Sequence, residues 1–352
     1  MSEETNNGSF GCALPRADYD HVLLAHGSGG TYSAKLIKDI FLKHFGNPLL
    51  DELHDGAVFD SPGSRLAFST DSYVVDPIFF PGGSIGELAV NGTVNDIACC
   101  GAKPLYLSAG FILEEGFPLD DLEKIVIAMK NSALRAGVSI VTGDTKVVGH
   151  GKADKVYICT SGVGAVFEGV DISPKKCRPG DLIILNGKIA SHGIAIMSSR
   201  EGFEFESAVI SDSAPLNGLI EEICKTSANI HVMRDPTRGG IASALNEIAQ
   251  SAGMGIKIDE DKIPIDEQVR GICEILGFDP LYVANEGKLL VFVAPGDAAN
   301  VLSAMRSHEF GADSAIIGYV SSDNPGKVIM KTSIGTNRIV DMLSGDQLPR
   351  IC

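Results

Sequence analysis

The sequence predicts a two-domain protein of mixed α/β and α+β class. A chain of 352 residues is long enough for two substantial cores. In both halves, short apolar runs of strand length alternate with segments of helical periodicity. A polar turn at 174–180 separates the halves, so we expect domains at 21–170 and 171–345. We expect the polar extension at 1–20 to be disordered and residues 346–352 to form a flexible tail.

In the first domain the pattern predicts three strands and two helices. The strands are predicted at 65–70, 138–141 and 156–166, and the helices at 86–100 and 120–136. The first strand should run into Asp71, and the second should stop at Gly143 and Asp144. The first helix consists of small residues, whereas the second is amphipathic and starts at a capping Asp120.

The second domain begins with a buried strand at 182–185 that ends in Asn186 and Gly187. A helix with a glycine-rich start is predicted at 238–251, and a further strand at 289–294. Both halves therefore mix strands and helices.

The charge and composition argue against several classes of function. The formal net charge of −16 argues against a nucleic-acid or anionic-membrane partner, and a polyanion such as ATP would need Mg²⁺ to bind. No apolar run reaches the ~18 residues of a membrane helix, and the first twenty residues lack the pattern of a signal peptide. The eight cysteines include no C-x-x-C spacing and indicate buried free thiols in a reducing cytoplasm.

Four acidic residues lie near the ends of predicted elements, where a Mg²⁺–triphosphate site would need them. They are Asp71, Asp96, Asp144 and Asp235. Carboxylates from several loops offer hard oxygen ligands, and the metal offsets the charge of the phosphates. Taken singly, each of these residues is more commonly a helix cap or a turn former.

A glycine-rich loop precedes a helical pattern at 32–44. It consists of His26, Gly27, Ser28, Gly29 and Gly30, and its backbone N–H groups could wrap phosphates. It has neither the Walker A spacing nor a dinucleotide-binding fingerprint. A plain flexible turn explains it almost as well.

Further side chains are candidates for the reaction itself. Glu286 and Lys288 share a face of an extended segment, which suits proton transfer but is also the pattern of a surface ion pair. Lys146 suits contact with a phosphate or a reacting group, or is a solvated lysine. Cys352 bears the terminal carboxylate, and a thiol at a free chain end could enter an active site or simply be exposed.

Taken together, these segments resemble the HypE family, the carbamoyl dehydratases of nickel–iron hydrogenase maturation. The resemblance runs from about residue 22 to the end of the chain, through motifs at 26–30, 68–72, 76–83, 91–96, 143–148, 234–240, 285–288 and 349–352. It implies a PurM-like two-domain fold. The strands of the N-terminal α/β domain would pair across a homodimer into a barrel, the C-terminal domain would be α+β, and ATP would lie between the domains.

The resemblance also implies a nucleotide site. Asp71, Asp96 and Asp144 would hold Mg²⁺ and, through it, the phosphates of ATP, with Thr145 beside them. Asp235 would contact a phosphate or Mg²⁺. Arg238 and Gly239 would hold phosphate at a helix start. The loop from His26 to Gly30 would close over ATP as a lid.

The implied reaction takes place on the tail. The carbamoyltransferase HypF would load a carbamoyl group onto Cys352, and ATP-driven dehydration would convert it to a thiocyanate whose cyanide passes to a HypC–HypD scaffold complex. Lys146 would stabilise phosphoryl transfer and Glu286 would act as general base. An extended tail from Asp346 reaches at most ~20 Å, enough to move between solvent and an inter-domain cleft.

Two alternatives remain open. An ATP-dependent small-molecule synthetase or kinase of the same superfamily would share the acidic segments but would not need Cys352. A selenophosphate synthetase would also want a reactive residue near its N-terminus, for which Cys12 is the only candidate. A non-catalytic scaffold would have no reason to keep several phosphate-site motifs. Removing Cys352 separates these classes, since only a tail-modifying enzyme would lose product formation.

Overall fold

The computed structural model describes residues 20–23, 36–48, 65–201, 209–343 and 351–352. The expectations for residues 1–19, for the glycine-rich loop at 26–30 and for the tail at 346–350 therefore lie outside the described residues. Within the described part, the predicted α/β and α+β class is confirmed.

The N-terminal domain is a four-stranded sheet covered on one face by two helices. Its elements are β1 (Leu66–Tyr73), a short hairpin of β2 (Phe79–Phe80) and β3 (Gly83–Ser84), α1 (Ile85–Cys99), β4 (Ala102–Glu114), α2 (Leu119–Ala136), β5 (Ser139–Val148) and β6 (Val156–Val166). The strand order is β1-β6-β4-β5. Only β4 and β5 run parallel in this sheet, and α2 connects them. Two short helical turns, Ile37–Leu42 and Lys43–Phe45, precede the domain.

The sheet has a helix-covered face and an open face. On β1 the side chains alternate, so Ala67 and Tyr73 are buried, whereas Phe68 on the open face is 71% exposed. The small residues of α1 allow close packing: a Cβ on Gly86 would lie 2.4 Å from the carbonyl oxygen of Ile125 in α2. Ser84 caps α1 by accepting a hydrogen bond from the Gly86 N–H at 3.1 Å.

The C-terminal domain is built on a seven-stranded sheet. Its strands, in the order β13-β12-β9-β11-β7-β10-β8, are β7 (Leu182–Leu185), β8 (Ile230–Arg234), β9 (Gly255–Asp259), β10 (Leu290–Val293), β11 (Ala315–Ser321), β12 (Val328–Lys331) and β13 (Asn337–Val340). Its helices are α3 (Ser191–Glu201), α4 (Asn217–Thr226), α5 (Gly240–Ala252), α6 (Glu267–Leu276) and α7 (Ala298–Ser307). Short 3₁₀ turns lie at Pro174–Lys176, Glu260–Lys262, Pro280–Tyr282 and Glu309–Gly311.

Buried contacts of α1 join the two domains. Ala98 and Cys99, at the end of this helix, belong to a hydrophobic cluster with residues of α4 and of the C-terminal sheet. Asn95 donates to the Ala214 carbonyl at 3.0 Å and accepts from the Leu216 N–H at 2.7 Å. These contacts hold the C-terminal end of α1 against the second domain.

Several predicted boundaries are confirmed and others are wrong. The strands at 156–166 and 182–185 have the predicted bounds. β1 continues to Tyr73 and β5 to Val148, so Asp71 and Asp144 lie within strands and not at their ends. Pro118 is the N-cap residue of α2, and Asp120 lies in the first turn of the helix. The glycine-rich helix begins at Gly240 and not at residue 238.

The cysteines were predicted to be buried thiols, which is only partly correct. All seven cysteines in the described part of the chain are free, and Cys99, Cys177, Cys273 and Cys352 are buried. Cys100 and Cys159 are exposed. Among the helices of the described residues, none is both long and apolar enough to cross a membrane.

Candidate active site

Three of the predicted carboxylates come from three elements that meet where the domains join. Asp71 lies on the helix-covered face of β1, Asp96 lies in the last turn of α1, and Asp235 directly follows β8. Ser69, two residues before Asp71 on the same strand face, donates a hydrogen bond to Asp96 at 2.7 Å. Sheet, helix and second domain therefore each contribute one carboxylate.

The electrostatics of this carboxylate cluster, Asp71, Asp96 and Asp235, favour a bound cation. Burial raises the pKa of Asp96, and the negative charge of Asp71 raises it further. Burial and then the charge of Asp96 raise the pKa of Asp235 to about 7. The guanidinium of Arg234 opposes both shifts without cancelling them. A cation at this place would relieve the repulsion and keep the carboxylates ionised.

The donor set suits Mg²⁺ held jointly with phosphate oxygens. Carboxylates are hard oxygen ligands, and Mg²⁺ is usually bound by one or two of them together with substrate phosphates and water. Within the described residues, no three His, Cys, Asp or Glu side chains are close enough to hold a metal on their own. The cluster therefore fits a metal that arrives with a nucleotide.

Asp235 should make the ligand-free protein less stable as the pH rises. Because its pKa is raised from 3.8 to about 7 on folding, the folded chain binds more protons than the unfolded chain between these values. The stabilisation is present in full below the unfolded pKa and is lost as the pH rises through about 7. Asp235→Asn should flatten this dependence and be more stable than wild type at pH 8 by at least about 1.4 kcal/mol.

Urea unfolding between about pH 5 and 8, without nucleotide or Mg²⁺, measures this effect. The exposed Asp323, whose pKa is lowered by Lys257, provides the control variant Asp323→Asn, which should keep the wild-type slope. Equal slopes in Asp235→Asn and wild type would contradict the assignment.

The last two residues of the chain are anchored between the domains. Ile351 and Cys352 are buried, which differs from the expectation of a sterically free chain end. The Val74 N–H, just after β1, donates to an oxygen of the Cys352 terminal carboxylate at 3.0 Å. In the second domain, His192 lies 2.8 Å from the Ile351 carbonyl oxygen. Burial and the negative charge of Glu286 raise the pKa of the Cys352 thiol, so the docked thiol is neutral.

Glu286 is a buried carboxyl group with the properties expected of a general base. It is 3% exposed, and its Oε1 atom has no hydrogen-bond partner within the described residues. Burial first, and then the charges of Asp212, Asp235 and Asp71, raise its pKa well above the usual value, whereas Arg238 acts in the opposite direction. A buried carboxyl group with a raised pKa, whose charge acts on the Cys352 thiol, has the character of a catalytic group.

The segment around Glu286 is fixed by its neighbours. Asn285 accepts from the Ala190 N–H at 2.8 Å and donates to the Pro236 carbonyl at 2.9 Å. A Cβ on Gly287 would lie 1.8 Å from the Asp212 carbonyl oxygen, so only glycine allows this approach. Lys288 pairs with Asp212 at 3.3 Å, so the predicted partnership of Glu286 with Lys288 is replaced by a buried ion pair.

Asp144, Thr145 and Lys146 do not join the carboxylate cluster of their own chain. Lys146 pairs with Asp144 at 3.0 Å, and both side chains are largely exposed. The strand register aligns Asp144 with Gly110, Cys159 and Ser72, the residues of the open face, whereas Asp71 points to the helix-covered face. β1 and β5 are the two edge strands of the sheet, so these residues lie about 14 Å across the sheet from Asp71. Asp144 and Lys146 lie on the open face, whereas Thr145, which pairs with the buried Phe111, lies on the helix-covered face.

Gly239 and Arg238 directly precede α5, which begins two residues later than predicted. Gly239 is the N-cap residue with φ of 75°, and a Cβ on Gly240 would lie 2.4 Å from the Leu281 carbonyl oxygen. The Arg238 charge acts on Asp96, Glu286 and Cys352. Arg238 thus links the carboxylate cluster with the docked tail.

Sequence reasoning missed two residues of this site, His192 and Asp212. His192 is an isolated histidine between Ser191 and Gly193, and Asp212 lies in a short polar segment between two serines. Neither has a motif, and only the folded chain brings them to the tail and to Glu286.

Comparisons with known proteins match both domains and nearly the whole chain. Residues 53–166 and 178–331 match the N-terminal and C-terminal domains of AIR synthase related proteins. Carbamoyl dehydratase HypE of Rhizobium leguminosarum bv. viciae is 54% identical over 330 residues, which cover 94% of each chain. A crystal structure of hydrogenase maturation protein HypE in complex with ATP matches with a TM-score of 0.91 at 49% identity, over 94% of this chain and 99% of that one. A HypE–HypF complex matches with a TM-score of 0.78 at 48% identity, over 88% and 99%.

Proposed function

This chain belongs to the HypE family of carbamoyl dehydratases, and from this membership we propose that it dehydrates a carbamoyl group on its own Cys352 to a thiocyanate, with ATP as the second substrate. The product would supply the cyanide ligands of the nickel–iron hydrogenase centre. The observation that carries the proposal is the burial of Cys352 between the domains, where the charge of Glu286 acts on its thiol.

The proposed chemistry makes a poor leaving group into a good one. The oxygen of S–C(=O)–NH₂ attacks the γ-phosphorus of ATP, ADP leaves, and one nitrogen proton is removed, which gives S–C(OPO₃²⁻)=NH. The C–O bond then breaks, phosphate leaves with the second nitrogen proton, and S–C≡N remains. Glu286 is the proposed acceptor of the first proton, because its raised pKa makes its ionised form a stronger base.

The carboxylate cluster and α5 are the proposed nucleotide-binding parts. Asp71, Asp96 and Asp235 would hold Mg²⁺, which supplies charge stabilisation to the transferring phosphoryl group. Arg238 and the N-terminal N–H groups of α5 would face phosphate oxygens. The lid function of residues 26–30 stays a prediction.

A second copy of the chain would complete this site. The open face carries Phe68, Leu66 and Ile112 at 71%, 53% and 44% exposure, an apolar surface unusual for a free sheet. Pairing two open faces in a homodimer would bury this surface. It would also bring Asp144 and Lys146 of one chain, on the edge strand β5, toward the edge strand β1 that carries Asp71 in the other.

The proposed partners follow from the need to load and unload the tail. One relative forms a HypE–HypF complex, and HypF is therefore the proposed carbamoyl donor. A HypC–HypD complex is the proposed acceptor of the cyanide. The free thiols of the described cysteines suit the reducing conditions of the cytoplasm, where we expect the protein to act.

Replacing Cys352 with alanine tests the proposed function. With HypF, carbamoyl phosphate and ATP, the wild-type chain should gain a carbamoyl group and then consume ATP, and Cys352→Ala should do neither. Cys224→Ala, which removes a partly exposed thiol on α4, should behave as wild type. ATP turnover that survives in Cys352→Ala and depends on a small molecule would instead favour a synthetase or kinase.

A further inference from the structure

The docked chain end makes two polar contacts, one with each domain. On the N-terminal side, the Val74 N–H donates to an oxygen of the Cys352 terminal carboxylate at 3.0 Å. On the C-terminal side, the Nε2 atom of His192 lies 2.8 Å from the Ile351 carbonyl oxygen. The side chain of Ile351 is 3% exposed and belongs to the main hydrophobic core. These contacts determine where the Cys352 thiol lies.

The partners of His192 determine which of its nitrogens carries the proton. A carbonyl oxygen only accepts, so Nε2–H donates to Ile351. The Nδ1 atom then accepts from the Ser211 hydroxyl at 2.8 Å, and this hydroxyl accepts from the Ser213 N–H at 3.2 Å. Burial lowers the pKa of His192, which keeps the ring neutral and preserves this pattern.

The ring of His192 is also held in place by packing. The residue is fully buried at the start of α3, and the Phe80 ring packs edge-on against it at 5.6 Å between centroids. Ser211, which orients the ring, is itself tied to β2 and its turn through its N–H bond to the Pro81 carbonyl at 2.9 Å. The imidazole is thus held by contacts that do not involve the chain end, and its Nε2–H is the donor to the Ile351 carbonyl.

We propose that His192 is a positioning residue that seats the chain end, by donating to the Ile351 carbonyl so that the group on Cys352 lies beside Glu286. A docked tail without this donor would leave a buried carbonyl unsatisfied, which disfavours docking about tenfold. The catalytic purpose of this positioning rests on the proposed function. The positioning of the chain end by His192 is tested without ATP or a carbamoyl group.

Alkylation of Cys352 by iodoacetamide in the full-length chain measures how often the tail is undocked. Cleavage before aspartate releases the tail as the peptide 346–352 and a buried reference thiol, Cys273, in the peptide 266–278. Cys273 lies on α6, which packs against α3, so it reports any loosening around His192. His192→Asn lacks a donor at the Nε2 position, whereas His192→Gln places an amide N–H near it.

We expect His192→Asn to raise the alkylation rate of Cys352 about tenfold and His192→Gln to stay within about twofold of wild type, with Cys273 unchanged in both. Ser211→Ala, which leaves the ring in place but frees its orientation, should give about a threefold rise. The proposal is overturned if Asn and Gln variants alkylate alike, or if Cys273 becomes reactive together with Cys352. If the wild-type chain dehydrates the carbamoyl group but the variants do not show this alkylation pattern, only the role of His192 is refuted. If the variants show the alkylation pattern but the wild-type chain does not dehydrate the carbamoyl group, only the proposed function is refuted.

Discussion

Glu286→Gln should slow ATP-driven dehydration by about 10²- to 10⁴-fold while carbamoyl loading of Cys352 continues at the wild-type rate. The amide keeps the size and most of the polarity of the side chain but cannot take a proton from the carbamoyl nitrogen. Loading is expected to continue because it requires an undocked tail, away from the buried Glu286.

A single-turnover assay separates the two steps. The carbamoylated chain is isolated and mixed with Mg²⁺-ATP. Mass spectrometry of the intact chain then follows the loss of the mass of one water over time. Glu222→Gln, which alters a half-exposed carboxylate paired with Lys225, is the matched control and should dehydrate at the wild-type rate. A Glu286→Gln chain that dehydrates normally would assign the proton to another group, such as water.

Chains carrying Asp71→Asn and Lys146→Ala should each be inactive alone and should complement each other when mixed. The two residues lie on opposite faces and on opposite edge strands of one sheet, so in the proposed shared site Asp71 comes from one chain and Lys146 from its partner. With random exchange of subunits, half of the dimers are mixed and one of their two sites is intact. Activity should therefore return to about a quarter of the wild-type value.

The matched control mixes Asp71→Asn with Asp96→Asn. Both substitutions affect the same half of the site, so every site in such a mixture carries at least one defect and activity should stay absent. No recovery in the Asp71–Lys146 mixture, after exchange has been verified, would contradict a site shared between subunits.

Strands whose two ends are apolar, such as β6 and β7, were predictable, but the continuation of β1 and β5 through polar or glycine residues was not. β6 and β7 have the predicted bounds because their burial requires continuous or alternating apolar side chains. Gly143 was taken as the end of β5, yet the strand continues through it. A Cβ there would lie 2.4 Å from the Ala109 carbonyl oxygen, so this glycine marks a close approach of two strands.

The candidate site was only partly predictable for a related reason. Asp96, Glu286 and Cys352 lie in motifs that the sequence shows directly. The position of Lys146 depends on the order of strands in the sheet, which local patterns do not encode. The anchoring of the chain end depends on His192, an isolated residue that is 159 positions away from Ile351.

Transfer of oxygen from the carbamoyl group to phosphate tests the central claim most directly. The wild-type chain is loaded with a carbamoyl group that contains heavy oxygen, freed of the loading enzyme and given Mg²⁺-ATP in ordinary water. The masses of the protein and of the phosphate are then measured by mass spectrometry in the same sample. We predict that, for each phosphate formed, the mass of the chain falls by that of one labelled water, and that the heavy oxygen is found in the phosphate. Unlabelled phosphate from a chain that keeps its carbamoyl group would show simple ATP hydrolysis and would contradict dehydration on Cys352.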